Sequence, residues 1–414
     1  MTNVNSSHTK RNVFWCYVIV STCLVIASTG FGRLAYGIVM PFMREDLGLT
    51  YFQAGLIGSA NALGFLIFSV VCGKFVSRWG SKTIIICGGV IVMLSYIGLS
   101  LSNLFYLNLS LMFLNGMGTA FVFIPLVGLL VGWFPEKRGL VIGFLMSGGG
   151  AGVLLAGFVI PGLMTASTVG WRYGLAGFGI FTVVTVIFAY VFLKNPQMTT
   201  RQPDSSENTS VSVYRNKGVL LLGLIYFSVG TAYLIPLTFQ MGYMIEEGIN
   251  AVTGGILFSI GGILAIMSGP TWGFISDRYG RTLSLIVCIL FFSVANIASV
   301  VLPNFIGFLL TQILLGLTIT GMFALIQTSL TEQVALNQIP SALGFITVFF
   351  AVGQLLGPMF GGLIIEQAGG FKAAHLFSTL MTVIGLSLAI FMKQTAKKAR
   401  VKEETEGRVY AGNS

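Results

Sequence analysis

Gly73-Lys74-Phe75-Val76-Ser77-Arg78-Trp79-Gly80 returns two hundred residues later as Gly273-Phe274-Ile275-Ser276-Asp277-Arg278-Tyr279-Gly280. The glycines and the arginine keep their places, and an aromatic residue precedes the second glycine in both copies. Three further glycine pairs share the offset: Gly30 with Gly230, Gly55 with Gly255 and Gly116 with Gly316. The chain therefore reads as a duplication. In both copies the stretch follows a long apolar run and precedes another, so each copy is the polar junction between two apolar segments.

The apolar runs are what is duplicated. Of 414 residues, 55% are hydrophobic and only 9% charged, against about 25% charged in soluble domains. Mean hydropathy is +0.88. Twelve runs of about 20 apolar residues alternate with short polar breaks, each long enough to cross a hydrocarbon core of about 30 Å. Backbone groups in lipid must be satisfied within the segment, so runs of this length are helices rather than barrel strands. The expected class is an all-α integral membrane protein, with twelve transmembrane helices in two pseudo-symmetric six-helix halves. The 53 glycines suit helices that approach closely in lipid.

Residues 1–12 read as a cytoplasmic tail, 13–193 as the first half, 194–217 as a polar cytoplasmic linker, 218–392 as the second half and 393–414 as a solvated cytoplasmic tail. Spans 1 to 6 are expected at about 13–41, 51–73, 83–101, 106–132, 140–164 and 173–193. Spans 7 to 12 are expected at about 218–241, 252–273, 282–302, 305–330, 341–365 and 373–392. Arg44-Glu45-Asp46 falls in the first outer loop and Pro135-Glu136-Lys137-Arg138 in a basic inner one. With both termini inside, only Arg44, Arg172 and Lys372 lie outside and Arg33 lies in the membrane; the remaining Lys and Arg are inside. This positive-inside asymmetry accounts for the formal charge of +10 without nucleic acid. The five Trp fall at span ends, where interface anchors belong. The five Cys have neither metal-ligand spacing nor a secreted disulfide pattern. No metal site, cofactor fingerprint or hydrolytic constellation is read, so an enzyme is not expected.

Arg33 stands out within Ser28-Thr29-Gly30-Phe31-Gly32-Arg33-Leu34-Ala35-Tyr36-Gly37. An arginine at mid-membrane costs about 2.5–3.5 kcal/mol or more, and no predicted span supplies a carboxylate. It lies eight residues before Pro41, roughly 12 Å below the expected outer end of its helix. It either snorkels to that end or accepts a cargo carboxylate on its guanidinium fork. Tyr36 shares its face, as a second donor or as packing. In span 7, Tyr226, Gly230, Tyr233 and Gln240 form one helical stripe, and Tyr233 is the repeat-mate of Arg33. Asn115 and Thr119 in span 4, and Gln312, Thr320 and Gln327 in span 10, are polar residues that either bridge helices or touch substrate.

The paired junctions resemble the loop between the second and third helices of the major facilitator superfamily, roughly Gly-x-x-x-Asp-Arg-x-Gly-Arg-Arg/Lys. The second copy keeps the acid as Asp277, while the first has Ser77. The resemblance implies that Gly73, Arg78, Gly80, Asp277, Arg278, Gly280 and Arg281 form a conformational latch on the cytoplasmic side. It also implies that helices 1, 4, 7 and 10 line a central cavity. Trp133–Arg138 and the start of span 5 are similar to the monocarboxylate and oxalate–formate branch, which carries small organic anions. That branch commonly binds substrate with a cation in helix 8 or 11, and here those spans hold none. Gly353-Gln354-Leu355-Leu356-Gly357-Pro358-Met359-Phe360-Gly361-Gly362 resembles an antiporter motif of helix 5. Its place in span 11 favours close packing and a bend.

The expected function is secondary transport of a small organic anion, a monocarboxylate, by proton symport or anion exchange. Efflux of amphipathic compounds is the alternative, and a non-transporting membrane sensor a remote one. The expected partners are the anion, protons as the candidate coupling ion, and the lipid bilayer of a plasma or bacterial inner membrane, with a monomer as the working unit.

Overall fold

A computed structural model describes residues 2–195, 215–335 and 338–411. The interior of the expected linker, 196–214, lies outside the described residues. Among the described residues twelve helices are long and apolar enough to span a membrane, and the fold is the expected all-α bundle of two six-helix halves.

Span 1 is built of three pieces: an α-helix Thr2–Val25, a π-helix Ile26–Leu34 and an α-helix Tyr36–Leu47. Spans 2 to 6 are Tyr51–Trp79, Ser81–Leu101, Phe105–Trp133, Arg138–Ala166 and Gly170–Phe192. Spans 7 to 12 are Lys217–Glu246, Ala251–Tyr279, Arg281–Val301, Phe305–Leu330, Ile339–Gln367 and Gly370–Ala411. Several expected loops are helical, because main-chain bonding continues past the apolar run that marks a membrane crossing. Arg44-Glu45-Asp46 forms the last turn of span 1, and Pro41 lies inside that helix. Residues 73–79 complete span 2, and the helix of span 12 continues through the expected tail to Ala411. The chain turns between spans 2 and 3 at Gly80 alone, and between spans 8 and 9 at Gly280 alone. Both sit at positive φ, +79° and +89°, a region that side-chain-bearing residues avoid.

The duplication holds at the level of contacts. A Cβ on Gly30 would come 2.8 Å from Gly152 Cα in span 5, and one on Gly230 2.5 Å from Phe350 O in span 11. Gly116 would strike Asn61 O in span 2 and Gly316 Gly261 O in span 8, at 1.9 and 2.4 Å. The N-caps repeat too. The Thr50 side chain accepts from Gln53 N, in a capping box, and the Asn250 side chain accepts from Thr253 N. At the far end from the termini, Arg172 binds Asp46 at 2.8 Å, and its repeat-mate Lys372 pairs with Glu247 at 3.6 Å. Arg172 also donates to Ser100 O, Ser102 O and Asn103 Oδ1, drawing three junctions of the first half together.

The halves meet along three seams, span 2 against span 11, span 5 against span 8, and the outer part of span 1 against span 7, where a Cβ on Gly37 would strike Leu237 O at 1.7 Å. Gly55 would strike Pro358 O at 2.2 Å and Gly362 Tyr51 O at 2.3 Å; Gly157 and Gly255 face each other's helices at 2.5 and 2.1 Å. Ser59 Oγ donates to Leu355 O at 2.6 Å, Ser259 Oγ to Leu154 O at 3.0 Å, and Phe52 N to Glu366 Oε2 at 3.3 Å. All of these lie between mid-bundle and the end remote from the termini. On the termini side spans 2, 5, 8 and 11 carry Gly73, Gly143, Gly269 and Gly344, where a Cβ meets nothing within 4 Å. The bundle is closed at one end and splayed at the other.

The tryptophans correct one expectation. Trp15, Trp79 and Trp133 are exposed, as anchors should be, whereas Trp171 and Trp272 are 0% and 5% exposed. Trp272 Nε1 donates to Leu317 O at 2.7 Å and Gly321 packs on its ring, so it locks span 8 to span 10.

Candidate functional site

The site begins with the π-helical piece of span 1. Its wider turn is closed by Ala35 N donating to Gly30 O at 2.9 Å. Side chains from neighbouring spans also donate to its carbonyls: Tyr96 Oη to Ala27 O at 2.6 Å and Thr119 Oγ1 to Ser28 O at 3.1 Å. Gly32 lets the side chain of Asn115 lie against the backbone, where a Cβ would come 2.3 Å from Oδ1. π-Helical segments inside α-helices concentrate at functional sites, and this one ends at Arg33.

The helix runs on to Leu47, but its last turn is the polar Arg44-Glu45-Asp46, so Arg33 keeps its depth of roughly 12 Å below Pro41, and its side chain turns to span 11 instead of snorkelling outward. A guanidinium N–H donates to Gln354 Oε1 in span 11, and Gln354 Nε2 donates to the hydroxyl oxygen of Tyr233 in span 7. The guanidinium also stands 5.0 Å from the centre of the Phe65 ring. Its Nε is buried without a hydrogen-bond partner. Among the described residues the ion pairs are Arg172–Asp46, Arg281–Glu332 and Lys372–Glu247, and Arg33 is in none of them. A neutral amide offers a dipole and leaves the charge uncompensated. Beside it, Arg33, Tyr36, Asn61, Thr238 and Pro358 line a narrow cavity of about 10 Å³, room for about one water.

Residues 25–390 match the family model described as "Uncharacterised MFS-type transporter YbfB". The chain belongs to this family of the major facilitator superfamily. The hexuronate transporter of Bacillus subtilis (strain 168) is 25% identical, with 86% of this chain and 89% of that protein covered. Human monocarboxylate transporter 11 is 24% identical, over 90% and 81%. The agnestins efflux protein AgnL12 of Paecilomyces divaricatus is 22% identical, over 89% and 84%. Among solved structures, a point variant of the nucleoside transporter NupG superposes with a TM-score of 0.78 at 13% identity, covering 91% of this chain and 99% of that one. A bacterial Spinster homologue, inward-facing and unoccupied, gives 0.74 at 14%, covering 94% and 98%. These likenesses of structure bear on the fold alone.

In this superfamily member the anticipated residues fall into groups. Arg33, Tyr36 and Tyr233 converge, although the Tyr36 hydroxyl is already donated to Ala54 O at 2.8 Å. Tyr226 stacks on Phe350 at 4.2 Å, and its hydroxyl oxygen accepts from Gln327 Nε2 at 3.4 Å. Gln327 is exposed, on the splayed side. Asn115 Oδ1 accepts from Asn61 Nδ2 at 3.0 Å, and Asn61 Oδ1 and Asn115 Nδ2 are left buried without partners. Thr119 is committed to Ser28 O and Asn115 O. Thr320 donates to Ala265 O at 2.8 Å, and Gln312 packs on Gly261; both tie span 10 to span 8. Both side-chain polar atoms of Gln240 are buried without partners.

Gln354, Asn61, Thr238 and Phe65 were not anticipated. Asn61, Phe65 and Gln354 lie in spans 2 and 11, outside the spans 1, 4, 7 and 10 expected to line the cavity, whereas Thr238 lies in span 7. A lone amide inside an apolar run was the available signal for both Asn61 and Gln354. The glycines around Gln354 pack as expected: Gly353 and Gly357 would each strike span 7 carbonyls at 2.4 Å. Where the resemblance implies a cation, span 11 carries this amide, and the cation faces it from span 1.

At the paired junctions, Arg281 donates to Thr328 O at 2.9 Å and to Thr331 Oγ1, and lies 3.7 Å from Glu332, tying span 9 to the end of span 10. Arg78 and Arg278 rest over the rings of Trp79 and Tyr279. Among the described residues Asp277 makes no hydrogen bond or ion pair.

Proposed function

We propose that the chain is a secondary transporter of a small organic anion, a monocarboxylate, working by alternating access through proton symport or anion exchange. The observation that carries this reading is Arg33: a deep cation whose acceptor is a neutral amide, beside a cavity and without a carboxylate. A cargo carboxylate supplies the missing charge in a bidentate, charge-assisted pair. The relatives named for hexuronate and for monocarboxylates support the same chemical class, since both carry one carboxylate. The positive-inside pattern supports cytoplasmic termini and linker in a plasma or bacterial inner membrane, with the splayed end facing inward. A monomer is retained as the unit, because the residues that surround Arg33 all come from one chain. Of the anticipated residues, Arg33, Tyr36, Tyr226, Tyr233, Asn115 and Gln327 are retained as substrate-facing, and Thr119, Thr320 and Gln312 as helix bridges. The junction motifs act as a latch that is released in this conformation and engages when the splayed end closes.

Counterflow in proteoliposomes tests the cargo class. Labelled lactate and glucuronate are offered against carboxylates and their neutral amides, with and without a pH gradient. Carboxylates are expected to drive counterflow and the neutral amides to fail; equal activity of both would overturn the anion reading. The aromatic cluster of Tyr226, Phe323 and Phe350 and the efflux relative favour a second reading, export of amphipathic compounds. Raised resistance to such compounds in an expressing host, without carboxylate counterflow, would select it.

A further inference from the structure

We propose that Gln354 is a stand-in for the cargo carboxylate, and that it allows the carrier to return across the membrane empty. The proposal rests on the reading of Arg33 as the anion site. An arginine in an empty cavity must be satisfied by something while the carrier reorients, because an unpaired charge sealed away from water is heavily penalised. Gln354 meets that need. Its Oε1 takes a guanidinium N–H, as a carboxylate oxygen would, and its Nε2 is anchored on the Tyr233 hydroxyl oxygen. The orientation of the amide is set by this pair, because the reverse would place an NH₂ group against guanidinium donors. Gln354 is 1% exposed and Arg33 half-buried, so once the splayed end closes over Arg33 the amide is the acceptor that remains.

The contact also crosses between the halves. Arg33 belongs to the first and Gln354 to the second, and the next residue, Leu355, accepts the seam bond from Ser59. A carboxylate arriving on Arg33 displaces a neutral acceptor with a charged one, which is the stronger partner. Loading thus removes one bond between the halves next to the closed seam. With the cargo gone, the amide returns and the empty carrier is satisfied again. Replacing the amide by a hydrocarbon leaves Arg33 dependent on cargo in both directions, so exchange survives and net movement fails. Replacing it by a carboxylate supplies a permanent internal anion, which closes the site to cargo.

Wild type, Gln354→Leu and Gln354→Glu are purified, reconstituted and compared for exchange and for net uptake of labelled lactate and glucuronate. Each protein is also melted in detergent without added carboxylate. Gln354→Leu is expected to keep exchange while net uptake falls about tenfold, the loss of one hydrogen bond to a charged group. Gln354→Glu is expected to lose both activities and to melt above wild type. Equal loss of exchange and net uptake in Gln354→Leu, or continued transport by Gln354→Glu, would overturn the proposal. If wild type carries neither probe, the reading of Arg33 as a site for such acids fails. The melting temperature of Gln354→Glu still decides on the contact, and the absence of a rise refutes it.

Discussion

Arg33 and the two junction glycines show how single residues impose different constraints. Arg33 was visible as the one cation inside an apolar run, because a charge there is an exception by composition alone. Its partner was not visible: an amide in span 11, among glycines that explain themselves by packing, gives no sign of the residue it faces 321 positions away. Gly80 and Gly280 matter through backbone conformation. Both combine positive φ with ψ near 150°, at 154° and 147°, a region essentially confined to glycine that costs a side-chain-bearing residue roughly 1–3 kcal/mol. Gly80→Ala and Gly280→Ala are each expected to lower thermal stability by about that amount; unchanged melting of both would show that the junctions relax without strain.

Among the elements, the π-helical piece of span 1 is the one that hydropathy could not reveal. Apolar run length is the same whether a helix winds by α or π turns, and what marks this segment is the set of side chains that donate to its carbonyls. Those side chains come from spans 3 and 4. Tyr96→Phe removes the donor to Ala27 O, the loss of one buried hydrogen bond, at about 0.5–1.5 kcal/mol. It should lower the melting temperature and speed amide exchange in residues 26–34, measured by hydrogen–deuterium exchange. Unchanged exchange in that segment would mean that the π turn does not depend on this bond. The repeat, by contrast, was legible from the junction motif and the paired glycines, because a backbone approach as close as those of Gly30, Gly230, Gly116 and Gly316 tolerates no other residue. Gly116→Ala and Gly316→Ala occupy equivalent places and should each cost about 1–3 kcal/mol from overpacking. Loss at one position and not the other would break the equivalence of the halves.

At the scale of the whole molecule, two six-helix halves close on each other at one end and part at the other, around a cation on the first half and an amide on the second. Span count, duplication and family were readable from the chain because each is a property of pattern. Which end is closed depends on helices from different halves, and no local pattern reports it. If the far seam must open for transport, joining it will stop turnover. Oxidation of a Phe52→Cys, Glu366→Cys pair, placed where Phe52 N meets the Glu366 carboxylate, should abolish counterflow, and reduction should restore it. Undiminished counterflow in the cross-linked protein would show that the seam is not a gate. The most direct measurement is uptake of labelled lactate and glucuronate by Arg33→Ala beside wild type, each reconstituted from monodisperse protein. Arg33→Ala is predicted to fall to the background of empty vesicles, and uptake equal to wild type would contradict the assignment of Arg33 as the anion site.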